Sequence, residues 1–262
     1  MGQNFLIDKF ALSKIIKSAD LTPKDIVLEI GPGIGTLTKE LAKKAKRVIA
    51  IEKDNTMVEI LKETLKDFKN VNIIGSDILK INFQFSIFNF QSNHNFQLPK
   101  KYKVAANLPY YITSPVIRKF LEMENKPNVI VLMVQKEVAQ RICSNPPDMS
   151  LLAVSVQFYT KPEIISYVSK KCFWPSPKVD SAIIKISNIK NQKSKINVEK
   201  FFRIVRAGFS QPRKQLANNL SKSLGKDKNQ INLWLQKNKI NPEQRAETLS
   251  VSDWKKLTNS YL

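Results

Sequence analysis

Ile26-Val27-Leu28-Glu29-Ile30-Gly31-Pro32-Gly33-Ile34-Gly35-Thr36 is the stretch whose reading decides the fold. Five residues of buried-strand type lead into three glycines at alternate positions. Thr36 to Lys46 then reads as a helix, with Leu37, Leu41 and Ala45 on one face. A strand, a glycine turn and a helix in succession open a βαβ unit. The glycines let the backbone pass close to a ligand at the helix N-terminus.

The same alternation continues. Arg47–Ile51 and Val71–Gly75 read as strands around a helix from Asn55 to Phe68 with Met57, Ile60, Leu61, Leu65 and Phe68 inward. Lys103–Ala106 and Val129–Val134 are further apolar strands around a helix at 114–123, and helices follow from Lys136 and over Leu151–Tyr159. Glu163–Val168 and Val179–Ile186 alternate as antiparallel strands do. Residues 1–20 form a capped lead-in and a helix. The expectation is an α/β fold with a doubly wound, mostly parallel sheet and an antiparallel hairpin at its end. Residues 82–99, rich in Phe, Asn, Gln and Ser, break the rhythm and read as an enlarged surface loop or hairpin to which no role is assigned. Beyond 187 the strands stop. A polar linker at 190–195 precedes helices at Val198–Phe209, Arg213–Leu224, Asn229–Lys237 and Val251–Tyr261. Two domains are expected, 1–187 and a small all-helical 188–262.

Composition narrows the function. The net charge is +21, and residues 161–262 hold 21 Lys and Arg against 7 Asp and Glu, a net +14. A basic, aromatic-bearing C-terminal part points to a polyanion such as RNA; the alternative is a general lysine drift, which explains the background better than the asymmetry. Cys143 and Cys172 share no metal-ligand spacing, and His94 is the single histidine in a polar stretch. No metal site and no His-based triad is expected. No apolar run of about 18 residues and no secretory pattern occurs, and Leu6 stands where N-myristoylation wants Ser or Thr. A reduced, cytoplasmic protein without membrane attachment is expected.

The loop itself is neither of two common phosphate binders. The dinucleotide fingerprint wants glycine at 36 and finds Thr, and the P-loop's Lys-Ser/Thr pair is missing. A GxGxG loop behind an acidic-ended first strand is more typical of S-adenosylmethionine sites; a purely structural glycine turn is the alternative. Glu52 ends the second strand about 20 residues beyond the glycines, where a carboxylate accepts from ribose hydroxyls. The alternative is a solvated Glu paired with Lys53. Asp77 follows the third strand and can accept from an adenine amino group or cap a turn. Asn107-Leu108-Pro109-Tyr110 ends the fourth strand. Its amide oxygen and a neighbouring carbonyl can accept the hydrogens of a flat, amino-bearing ring, proline fixes the backbone, and tyrosine can stack.

Together these segments resemble the ribosomal RNA adenine N6,N6-dimethyltransferases. Further stretches agree: Gly2-Gln3-Asn4-Phe5-Leu6, Tyr111-Ile112-Thr113-Ser114-Pro115, Met133 to Val138, Phe173-Trp174-Pro175-Ser176-Pro177 through Ser181, and Phe209 to Leu220. The resemblance spans nearly the whole chain. It implies a Rossmann-like S-adenosylmethionine-dependent methyltransferase sheet, with Asn4, Leu6, Gly31, Gly33, Glu52, Asp77 and Asn107 holding the cofactor. Asn107, Leu108, Pro109 and Tyr110 would meet the target adenine on one side and Phe173 on the other; for Phe173 the alternative is a core aromatic pinned by two prolines. Arg203, Arg206, Arg213, Lys214 and Lys222, with Phe209 nearby, would bind RNA phosphates. The implied partner is small-subunit ribosomal RNA in a pre-30S particle, met by a monomer. The family pattern carries further basic residues ahead of Gly2, and this sequence departs from it there. The rival readings are a large-subunit methyltransferase of the erythromycin-resistance type, a DNA adenine methyltransferase, and a non-catalytic assembly factor on the same fold.

Overall fold

A computed structural model of the chain describes residues 4–81, 83, 98–189 and 196–261. The expected linker at 190–195, His94 and nearly all of the 82–99 insertion lie outside the described residues. The strands are β1 (Phe5–Leu6), β2 (Ile26–Ile30), β3 (Arg47–Glu52), β4 (Val71–Gly75), β5 (Lys103–Asn107), β6 (Val129–Gln135), β7 (Lys161–Val168), β8 (Phe173–Trp174) and β9 (Ser181–Ser187). The helices are α1 (Lys9–Ala19), α2 (Thr36–Ala42), α3 (Asn55–Thr64), α4 (Thr113–Glu122), α5 (Lys136–Ile142), α6 (Leu151–Gln157), α7 (Val198–Gly208), α8 (Leu216–Leu224), α9 (Lys228–Lys237) and α10 (Val251–Asn259).

Seven strands form one sheet in the order β4-β3-β2-β5-β6-β9-β7. The first five are parallel, and β9 and β7 run antiparallel, as the alternating pattern of their sequences predicts. The chain builds outward from β2 to β4, then returns to place β5 on the other side of β2. That reversal opens a crevice beyond the carboxyl ends of β2 and β5. Register puts Leu28 beside Val104 and Glu29 beside Ala105, so the glycine loop and Asn107 emerge next to each other. Strands β2, β3, β5 and β6 are buried on both faces, which is why they read as unbroken apolar runs. Helix α1 presents Leu12, Ile15 and Ala19 to this core, and Asp8 caps it by accepting from Ala11 N–H at 2.7 Å.

Two compact units emerge, residues 1–139 with 160–191, and residues 140–159 with 192–262. The sequence reading drew one boundary at 187; the structure instead groups 140–159 with the C-terminal helices. The reason is apolar. Phe158 stacks on Phe201 of α7 with ring centroids 4.2 Å apart, and Met149 N–H donates to Glu247 O at 2.9 Å. In sequence, a short apolar helix between strands is indistinguishable from one more crossover of the sheet.

Within the second unit, α7 and α8 meet at a tight turn. A Cβ on Gly208 would lie 2.3 Å from Trp254 Cη2, so only glycine admits the indole. Asn219 is buried and donates to Gly208 O at 2.7 Å and Gln211 O at 2.9 Å, closing the turn. Helix α8 therefore begins at Leu216, not at the expected Arg213, and Arg213 and Lys214 lie in the turn before it. Phe209 packs on Trp254 with centroids 5.7 Å apart, so its ring serves this core. Helix α3 also stops early, at Thr64, because residues 65–68 fold into a turn in which Phe68 N–H donates to Leu65 O. Replacing Gly208 with Ala should destabilise the protein by about 1–3 kcal/mol through overpacking, read as a lowered urea midpoint; an unchanged midpoint would mean the indole has room to move.

Candidate active site

A cavity of about 750 Å³ occupies the crevice beyond β2 and β5, lined wholly by the first unit. Its floor is the glycine loop. Gly31, Gly33 and Gly35 all have positive φ, the left-handed backbone that glycine tolerates best. At Gly33 the space is also closed: a Cβ would sit 3.0 Å from the Phe5 ring. Gly31 N–H donates to Ile51 O at 2.9 Å, and the Gly31 Cα faces Pro109, whose Cδ would touch a Cβ at 3.6 Å. The two sequence motifs thus pack on each other.

Four acidic residues line the cavity, of which Asp54 caps α3 by accepting from Thr56 N–H at 2.9 Å. Glu52 is 4% exposed and accepts from Gly33 N–H at 3.2 Å, Lys53 N–H at 2.8 Å and Asp54 N–H at 3.0 Å. This ligation clamps the glycine loop to the end of β3. Asp77 accepts from Leu79 N–H at 3.0 Å and pairs with Lys53 Nζ at 2.9 Å. The Lys53 side chain and the Leu79 amide hold its carboxyl below its usual range. The alternative reading of Glu52 as a solvated partner of Lys53 does not hold, because Glu52 is buried and Lys53 pairs with Asp77. Glu29 lies beneath the loop at 1% exposure, and its Oε2 has no hydrogen-bond partner. Burial pushes its carboxyl up to about 8; the Thr38 hydroxyl offsets part of this, and the neighbouring Glu52 charge adds to it. A charged residue inside an apolar strand was the sequence signal for this buried acid.

The tetrapeptide closes the other side. Asn107 Nδ2 donates to Asn4 O at 3.3 Å, which leaves Oδ1 as the acceptor that Asn107 offers the cavity it lines. Leu108 is buried, with its N–H on Met133 O at 3.3 Å. Pro109 O accepts from Ile112 N–H at 3.1 Å, so of the two candidate carbonyls Leu108 O is the less engaged. The Tyr110 ring is half-buried, and its hydroxyl is 2.9 Å from Ser181 Oγ at the start of β9. Burial raises that phenol above its usual range. Asn4, Leu6 and Phe173 reach the cavity through an element invisible in the sequence: β1 pairs antiparallel with β8, Phe5 opposite Trp174 and Leu6 opposite Phe173. Phe173 is 4% exposed and belongs to the same buried cluster as Leu6, Leu12 and Ile15, so it is part of the core as well as of the cavity wall. Phe5, Glu29, Lys53 and Ser181 are site residues to which the motifs alone assigned no role.

The expected RNA-binding side chains belong to the second unit. Arg203 and Arg206 on α7, Arg213 and Lys214 in the turn, and Lys222 on α8 are all exposed. Arg203 is partly engaged, donating to Tyr261 Oη at 2.9 Å.

A doubly wound sheet with glycine loop, buried strand-end carboxylate and Asn-Leu-Pro-Tyr turn at one switch point defines a Rossmann-like S-adenosylmethionine-dependent methyltransferase fold with a helical C-terminal part. The family model for ribosomal RNA adenine dimethylase matches residues 1–261, and the chain belongs to that family. It is 45% identical to the ribosomal RNA small subunit methyltransferase A of Dehalococcoides mccartyi strain CBDB1, over 100% of this chain and 87% of that one. It is 42% identical to the protein of the same name from Clostridium botulinum strain Loch Maree, over 99% and 92%. Among solved structures it resembles a dimethyladenosine transferase from Plasmodium falciparum (TM-score 0.77, 29% identity, covering 97% of this chain and 95% of that one). The 23S rRNA methyltransferase ErmE shares the fold (TM-score 0.76, 24% identity, covering 98% and 99%).

Glu29 makes stability depend on pH. Its carboxyl has an ordinary value of 4.5 and stands at about 8 in the folded protein. Between these values the folded state keeps a proton the unfolded chain has lost, so stability falls as pH rises, by at most about 1.4 kcal/mol per pH unit. Glu29→Gln should flatten that slope in denaturant titrations between pH 5 and 8; an unaltered slope would place the titration elsewhere.

Proposed function

We propose that the chain transfers methyl groups from S-adenosylmethionine to N6 of two adjacent adenosines, dimethylating each, in a loop near the 3′ end of small-subunit ribosomal RNA. Asn107 carries the reading. Its amide is oriented by the Asn4 carbonyl so that Oδ1 is an acceptor, beside the glycine loop and next to a tyrosine ring held by Ser181. The small-subunit assignment rests on relatives of that name that align over the whole chain; the likeness to ErmE concerns the fold alone.

The cavity fits the cofactor. Glu52 would accept from the ribose hydroxyls while its three backbone donors keep it in place, and Asp77 would accept from the cofactor's adenine amino group. The backbone at Gly31 would contact the donor's methionine part, which Asn4 and Leu6 would cover. When bound, S-adenosylmethionine supplies a methyl group already activated on a sulfonium. The protein's task is to prepare the nucleophile. An adenine amino nitrogen shares its lone pair with the ring and attacks poorly. Asn107 Oδ1 and Leu108 O accept its two hydrogens and favour a pyramidal nitrogen with density on the side facing the donor. Tyr110 supports one face of the base and Phe173 the other. These residues would act by positioning and electrostatics alone, and the surplus proton on N6 would pass to solvent after the methyl group is received. A base taken out of its stack is what such a pocket admits.

Arg203, Arg206, Arg213, Lys214 and Lys222 would meet phosphates of the same RNA in the small-subunit particle, with the protein acting as a cytoplasmic monomer. Salt should weaken this binding steeply.

Methyl transfer from labelled cofactor to small subunits lacking the modification should yield dimethyladenosine near the RNA 3′ end, identified by mass spectrometry. Label confined to large-subunit RNA would overturn the assignment. Asn107→Ala should lower turnover by about 10²–10³-fold, the scale of one oriented transition-state contact, with RNA binding retained. Near-normal turnover would refute the acceptor role. Arg206→Gln should weaken RNA binding and lower the slope of log affinity against log salt by about 0.7–0.9; the same slope as the parent protein would remove Arg206 from the RNA surface.

A further inference from the structure

Trp174 is 69% exposed, whereas Trp234 and Trp254, the other two tryptophans of the chain, are buried. An indole facing water contributes little to the stability of the fold. The segment that carries it is nevertheless held firmly. Strand β8 is paired with β1, Ile7 N–H donates to Cys172 O at 3.0 Å, Ser176 Oγ donates to Lys170 O at 3.0 Å, and Lys170 N–H donates to Asp180 Oδ1 at 3.0 Å. The ring is therefore displayed on a preorganised support.

Its place is set by the pairing. Trp174 stands directly opposite Phe5, and directly opposed residues of an antiparallel pair share a face. Phe5 lines the cavity and covers Gly33, so the indole stands across the strand pair from a residue of the cavity lining. One residue earlier, Phe173 turns inward to the cavity wall. Lys170, Lys171 and Lys178, all exposed, lie within four residues of Trp174 on the same segment. An exposed aromatic face with lysines close by in the chain, paired with a residue of the cavity lining, has the chemistry of a single-stranded nucleic-acid platform.

We propose that Trp174 stacks on the nucleobase next to the target adenosine in the substrate RNA, while Lys170, Lys171 and Lys178 meet phosphates of that strand. This rests on the pocket receiving an adenosine from RNA. It adds a second stacking position outside the pocket, which would hold the strand in register while the target base is inside.

The test uses the full chain and its own fluorescence, because Trp174 alone of the three tryptophans is open to solvent. An RNA hairpin with two adjacent adenosines in its loop is titrated in, with binding followed separately by anisotropy of a labelled copy. Binding should quench the solvent-exposed emission, and Trp174→Leu should abolish the quench. The leucine variant should raise KM for RNA about tenfold, the scale of one lost base stack, with kcat retained, and Trp174→Phe should restore it. Emission unchanged at saturating RNA, an equal quench by heparin, which has charge but no bases, or an unaltered KM in the leucine variant would each overturn the proposal. Asn107→Ala separates it from the reading of the pocket, since that variant should lose transfer and keep the quench. A quench without any transfer by the parent protein to small-subunit RNA would sink the reading of the pocket, and with it the placing of Trp174 beside a target adenosine.

Discussion

The carboxylate of Glu52, buried at the end of β3 and ligated by the backbone N–H groups of Gly33, Lys53 and Asp54, is the interaction around which the rest of the site is arranged. A buried anion demands several donors, and here they come from the glycine loop after β2 and from the turn into α3. Satisfying it fixes the loop against the neighbouring strand. The loop can take that path only with glycines of positive φ, and at Gly33 only with no side chain beneath the Phe5 ring. Glu29, buried below and raised toward neutrality, lets two acids share the region without a full second charge.

From that clamp the remaining parts follow. The switch point sets β5 beside β2, so Pro109 packs on Gly31 and the Asn107 amide opens onto the same cavity. Asn4 orients the amide through its carbonyl, and it is held there because β1 pairs with β8. Strand β9 begins with Ser181, which anchors the Tyr110 hydroxyl. The segment from Phe173 to Ser181 thus serves the site three times: a wall, an exposed indole and an anchor for a stacking ring. The second unit is independently cored, with Gly208, Asn219 and Trp254 defining the α7–α8 turn that displays Arg213 and Lys214.

Much of this was legible in the chain because the information is local. Period and apolar runs mark the strands of a parallel sheet, glycines mark the ligand loop, and acids at successive strand ends mark one edge. Glu52, Asp77 and Asn107, singled out by residue type at successive strand ends, all line the one cavity. Local signals also misled. Arg213 and Lys214 read as helical because the turn before α8 is closed by Asn219 from within the helix, a contact with no sequence period. Residues 140–159 read as part of the sheet's rhythm because the partner of Phe158, Phe201, lies more than forty residues further on.

What the sequence by itself determined is the order of elements, the parallel sheet and the chemical inventory of the crevice, since these depend on side-chain period and on residue type. Only the tertiary structure decided which of those groups work together. The β1–β8 pairing, the Lys53–Asp77 ion pair, the Ser181 anchor and the burial of Glu29 join residues far apart in the chain or distinguish neighbours of equal charge. The physical reason is that hydrogen bonds, desolvation and stacking depend on distances of a few ångströms in space, which sequence separation does not encode.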